Sequence, residues 1–74
     1  MMRKRDELAD PRSCLNKARD TEMLFVLLGR DESATVAVRA WIEDRIRRGK
    51  NVRTDAKIIE ATEWIRTVIA ERTV

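Results

Sequence analysis

Residues 14–34 read CLNKARDTEMLFVLLGRDESA, and the six large apolar residues at their centre, Met23 to Leu28, decide how the chain folds. An unbroken apolar run suits a buried strand or part of a buried helix, and periodicity does not separate the two. Methionine and three leucines favour helix, whereas Phe25 and Val26 lean towards strand. A strand needs a partner, and no second β-rich segment exists except the same segment in another subunit. The reading adopted is helix, stopped by Gly29, with strand as the open alternative. Charges fence the run on both sides, Lys17, Arg19, Asp20 and Glu22 before it and Arg30, Asp31 and Glu32 after it.

The size of the chain sharpens the question. Seventy-four residues make one domain at most, and a chain this short buries only about 60% of its unfolded surface. Disulfides, metals or extra copies are the usual remedies. With one cysteine, Cys14, and no histidine, an intrachain disulfide is excluded and a zinc site lacks ligands. Assembly with further copies of the chain is what remains. The lone thiol fits a reducing cytoplasm, no stretch approaches the ~20 apolar residues of a membrane span, and the basic start MMRKRDELADPR has no apolar stretch behind it. The expectation is a soluble, cytoplasmic protein. Sixteen basic residues interleave with thirteen acidic ones for a net charge of +3, a balance compatible with an anionic partner but not pointing to long nucleic acid.

Working outward, residues 1–10 read as a flexible charged arm without periodicity, and residues 11–74 as a single small helical domain. Asp10 and Pro11 have the form of a helix start, with Asp10 as cap, so a short helix is expected from about Pro11 to Ala18. The segment RDESATVAVRAWIEDRIRRGKN has Asp31 or Ser33 as a cap, acids in its first turn and Arg45, Arg47 and Arg48 in its last, a polarity that complements the helix dipole. Ala34, Val38, Trp41, Ile42 and Arg45 recur at helical spacing. In the last segment Thr54 or Asp55 caps, and Ile58, Ala61, Thr62, Ile65, Val68 and Ile69 form one apolar stripe, with Ile59 and Trp64 beside it. The two long helices, joined by GKNVR, should form an antiparallel hairpin. The fold class is therefore all-α, a short first helix, an apolar middle segment and a two-helix hairpin, assembled as a homodimer or homotetramer.

Catalytic signatures are poor. The commonest general base is missing, Cys14 has no imidazole partner and reads as a small buried thiol, and LLGRDESA is not a glycine-rich phosphate loop. The protein is not read as an enzyme, and no cofactor or metal is implied. Arg45, Arg47, Arg48, Lys50 and Arg53 read first as a helix terminus and solvated loop and second as a nucleic-acid grip. Trp41 reads as core, with a share in subunit contact, and Trp64 as an interface anchor, together with Met23, Leu24 and Leu27. If other chains hide the apolar run, its flanking charges repeat around a shared site. There Lys17, Arg30 and Arg39 would hold phosphates, Glu22 and Asp31 would accept ribose or base hydrogen bonds, and Phe25 would stack.

SCLNKARDTEMLFVLLGRDESATVAVRAW resembles short proteins encoded by bacterial viruses and integrated prophages, with a pattern CLxKA…DE…FVLxxRDxxAxxxVxxW. The matching residues are Cys14, Leu15, Lys17, Ala18, Glu22, Phe25, Val26, Leu27, Arg30, Asp31, Ala34, Val38 and Trp41, whereas Thr21 and Met23 stand where an acid and a proline are frequent. The resemblance implies a small accessory protein working in the host cytoplasm, and an anti-defence role by analogy of class. On that view the chain binds and sequesters a small signalling nucleotide, a cyclic oligonucleotide or cyclic ADP-ribose derivative, without catalysis. The alternatives are a protein-interaction module inhibiting a host defence protein, acting through Trp64, and a small nucleic-acid-binding accessory protein.

Overall fold

The computed structural model describes residues 1–72. It is helical, with four helices and no strand among the described residues: α1 (Lys4–Ala9), α2 (Cys14–Lys17), α3 (Glu32–Arg47) and α4 (Ala56–Arg72). None of them is long and apolar enough to cross a membrane.

The hairpin of α3 and α4 follows the sequence closely. Asp31 caps α3, its carboxylate accepting from the Ser33 amide at 2.9 Å, and so satisfies one of the donors that a helix start leaves unpaired. At the other end Gly49 takes a left-handed φ of +71°. Its amide donates to the Ile46 carbonyl and the Lys50 amide to the Arg45 carbonyl, both at 3.0 Å. That pair of bonds is a Schellman stop, and at such a φ a side chain would be strained. The loop is wired further. Arg45 Nε donates to Asn51 Oδ1 at 2.6 Å, Asn51 Nδ2 donates to Asp55 Oδ2 at 2.9 Å, and the Val52 amide donates to the same oxygen at 3.0 Å. These donors hold the Asp55 carboxyl below its ordinary range, the Asn51 amide most of all. The helices run in opposite directions. Arg53, just before α4, reaches Glu43 near the end of α3 at 3.5 Å, while Arg72 at the far end of α4 bonds carbonyls that precede α3.

Between them lies the core. Val38 and Ile42 from α3 interlock with Ile58, Ala61 and Ile65 from α4, with Ile46 and Trp64 packed against them, and Ala34 and Val68 extend the seam. These are the apolar stripes expected from helical spacing, at about 1.5–3 kcal/mol for each fully buried large side chain. The stripes are narrower than expected. Ile69 is exposed and Thr62 only half-buried. Trp41, expected in the core, is 39% exposed. Its ring instead carries the Arg45 guanidinium, 5.7 Å from the centroid.

The N-terminal half departs from expectation. The arm over residues 1–10 contains a helix that no periodicity signals, and its support comes from the residues that follow it. Asn16 Nδ2 lies against the carbonyls of Glu7, Leu8 and Asp10 at 2.9, 3.1 and 2.8 Å, and Ser13 Oγ donates to the Glu7 carbonyl at 2.7 Å. The carbonyls that α1 leaves unpaired are thus met by side chains from α2 and its cap. The short second helix begins at Cys14 rather than Pro11, and Ser13 is its cap, accepting from the Asn16 amide at 3.2 Å. Asp10 serves a turn instead, its carboxylate accepting from the Arg12 amide at 2.8 Å. Cys14, expected to be buried, is exposed. Its sulfur accepts from Lys57 Nζ at 3.8 Å.

The decisive run, residues 23–28, is neither helix nor strand. It is an unpaired linker between the turn at Arg19–Glu22 and the turn that leads to α3. Gly29 is not a helix stop. It is a point of close approach, where an added Cβ would meet Val68 Cγ2 at 3.1 Å. Arg72 fixes that approach, donating to the Gly29 carbonyl from Nε at 3.2 Å and Nη2 at 2.7 Å, and to the Asp31 carbonyl at 2.5 Å.

Candidate functional site

The linker and the outer side of α4 frame an open cavity of about 1410 Å³. Its walls come from α1, the run Leu24–Arg30, and the Glu60–Arg72 stretch of α4. Three long-range contacts set its shape. The amino terminus pairs with Glu60, Arg3 pairs with Glu71 at 2.5 Å, and Arg72 clamps Gly29. Arg3 and Glu71 are both exposed, so that pair contributes position rather than much stability.

On the wall stand Phe25, Arg30, Lys4 and Trp64. Phe25 is 86% exposed, a costly placement for a ring that gains most of its stabilisation from burial. Arg30 is exposed and has no side-chain partner among the described residues. The third notable group is Glu7, on the same wall. Its Oε2 is enclosed yet accepts no hydrogen bond, and an enclosed acceptor left unpaired is unfavourable by roughly 1–3 kcal/mol. The cavity therefore brings together an open aromatic face and a free guanidinium, with the unpaired Glu7 oxygen enclosed within its wall.

The residues singled out in the sequence are distributed as follows. Phe25 and Arg30 share the large cavity, whereas Lys17, Glu22 and Asp31 line neither it nor the smaller one. Glu22 accepts from the Arg19 amide at 2.8 Å, closing a turn, and Asp31 is committed to the α3 cap. Arg39 faces elsewhere, into a cavity of about 390 Å³ on the α3–α4 seam that it shares with Arg53 and Arg66 over Ile42 and Ile65. In this single chain, Arg39 and Arg30 do not converge. Of the interface candidates, Met23 at 98% and Leu24 are exposed, Leu27 and Trp64 are half-buried, and Trp41 sits under Arg45.

Sequence reasoning missed Glu7, Arg3, Lys4 and Arg72 as wall residues. No local pattern marks them: Arg3 and Arg72 are placed by partners far along the chain, Glu71 at a separation of 68 and Gly29 at 43, and Lys4 and Glu7 by a helix that no periodicity signals. The loop arginines gain intrachain duties that the sequence does not reveal. Arg47 and Arg48 both bind Asp44, at 2.6 and 2.9 Å, and the Arg48 bond chiefly draws the Asp44 carboxyl below its usual value. Arg45 is held by Asn51 and Arg53 reaches Glu43. No protein-family model, curated protein or solved structure matches the chain.

Proposed function

We propose that this chain is a non-catalytic binding protein that works as a homo-oligomer and sequesters a small nucleotide-like anion in the cavity beside residues 24–30. The observation that carries the reading is the pair on the cavity wall. Phe25 offers a stacking face and Arg30 a free fork of donors for phosphate. A second copy would bring Lys17, Glu22 and Asp31 from its own flanks towards the same region, and enclosure by two chains would give each phosphate oxygen a donor, as burial of a charged ligand demands. The resemblance to phage-encoded accessory proteins supports an anti-defence setting, with a cyclic oligonucleotide or a cyclic ADP-ribose derivative as ligand.

The test is native mass spectrometry of the full chain mixed with a cyclic dinucleotide, a cyclic trinucleotide and cyclic ADP-ribose. A retained nucleotide on an assembled species, lost in Arg30→Ala at a concentration high enough to keep that variant assembled, is the expected result. No retention of any of the three by the wild type overturns this reading.

A second reading, a module that docks on another protein, is favoured by the acids Glu60, Glu63 and Glu71 among the cavity's cations and by the exposed apolar residues Val36, Ile59 and Ile69 on the helices. Trp64 is half-buried against the core, so its removal would disturb folding as well as docking. Met23 is the cleaner probe of this alternative. For nucleic acid the structure offers less, since Lys50 is the one member of the loop cluster without a side-chain partner among the described residues.

A further inference from the structure

The backbone of residues 23–27 gives and receives no hydrogen bond within the described residues, and of Leu28 only the carbonyl is used, by the Asp31 amide at 3.0 Å. Around that bare backbone Met23, Leu24, Phe25, Val26 and Leu28 are all exposed. Unpaired backbone groups next to apolar side chains are the features by which one strand recruits another. No strand exists elsewhere in the described chain to answer them. The occupant must bring unpaired backbone of its own, and a second copy of this chain has it in the same residues.

We infer that residues 24–28 pair antiparallel with the same residues of a second copy, with Val26 on the two-fold axis. The charges decide the direction and the register. With Val26 opposite its own copy, Leu24 lies opposite Leu28, Phe25 opposite Leu27, and Glu22 opposite Arg30, twice over by symmetry. A parallel in-register pair would set Glu22 against Glu22 and Arg30 against Arg30, and like charges directly opposite are destabilising. Moving the axis to Phe25 pushes the charge matches onto Asp20 and Asp31, inside the turn and the cap that end the unpaired run. With the axis on Val26, the Glu22 carboxylate keeps its bond to the Arg19 amide and turns its other oxygen to the incoming guanidinium. The contact is isologous and closes on itself. It brings a second Phe25 and a second Arg30 to the rim of the same cavity, so the inference rests on the shared-site reading above and supplies its geometry.

Sedimentation velocity of the full chain and three variants tests the pairing. Val26 is 70% exposed, so Val26→Asp leaves each copy folded but sets two carboxylates face to face on the axis. That variant is expected to be monomeric at micromolar concentrations where the wild type is assembled. Glu22→Arg and Arg30→Glu are each expected to weaken assembly by about tenfold. An equimolar mixture of the two restores it, because each then meets its opposite charge. A monomeric wild type overturns the inference, and so does a Val26→Asp chain that assembles as the wild type does, or a mixture no tighter than its components. The last two results with an assembled wild type leave the sequestration reading standing. The expected results without nucleotide retention leave the pairing standing and remove the sequestration.

Discussion

Residues 31–72 and residues 1–30 are built on different logics. In the hairpin, local signals and long-range packing agree. Asp31 caps, Gly49 stops, and the stripes Val38–Ile42 and Ile58–Ala61–Ile65 meet each other. In the N-terminal half, order comes from side chains reaching across to backbone, Asn16 onto the end of α1 and Arg72 onto Gly29, while the most apolar residues of the segment stay outside. The difference teaches that hydrophobicity alone does not assign a residue to the core. A core small enough to be filled by two helices has no room for a third apolar segment, so Met23–Leu28 is left on the surface. Large exposed apolar patches of that kind mark surfaces that meet other molecules.

Four substitutions or conditions sharpen the contrast. The largest effect belongs to the hairpin, where Ile58→Ala should destabilise by about 2–5 kcal/mol, a large fraction of what a small domain has, read by urea denaturation with circular dichroism. Next comes Asn16→Ala. It removes the Asn16 donor from the Leu8 carbonyl and one of two donors from the carbonyls of Glu7 and Asp10, at about 1 kcal/mol net per lost bond. Faster amide exchange over residues 4–17 is expected, with the unfolding midpoint of α3 and α4 little changed. If that midpoint fell as far as in Ile58→Ala, the two halves would be one cooperative unit. Acid gives a smaller effect. The Asp44 and Asp55 carboxyls are held below their ordinary value by Arg48 and Asn51. A depressed folded pKa contributes stability that is complete above the unfolded value, about 3.9, and lost as pH falls through the folded one. The loop should therefore hold at pH 5 and loosen only below about pH 4, seen in the amide shifts of Asn51 and Val52. The smallest effect on folding is Met23→Ser. At 98% exposure it should leave the unfolding midpoint unchanged, while sedimentation reports weaker assembly.

How much of this was legible in the sequence follows the same division. The cap at Asp31 or Ser33 and the core stripes are read from residues that are neighbours along the chain. Their physics is local, and both helices were located from it. Residues 23–28 read as helix from a methionine, three leucines and the want of a strand partner, yet a helix there would need a groove to bury in, and α3 and α4 already fill one another's. Ser13 does not stand out as a cap, because Asp10–Pro11 carries the stronger local signal while the carbonyls that Ser13 and Asn16 satisfy belong to a helix that no periodicity marks. Of the candidate site, Phe25 and Arg30 were legible from their position beside the apolar run. Glu7 was not, since its enclosure depends on the packing of α1 beside the cavity.

The account turns on residues 23–28 being bare in one chain and covered in two. Hydrogen–deuterium exchange of the wild type across a dilution series measures this directly. Alternate amides among residues 24–28 should be protected when the chain is concentrated and exchange freely on dilution, while those of α3 and α4 keep their protection throughout. Exchange at 24–28 that is independent of concentration, whether fast or slow, would contradict it.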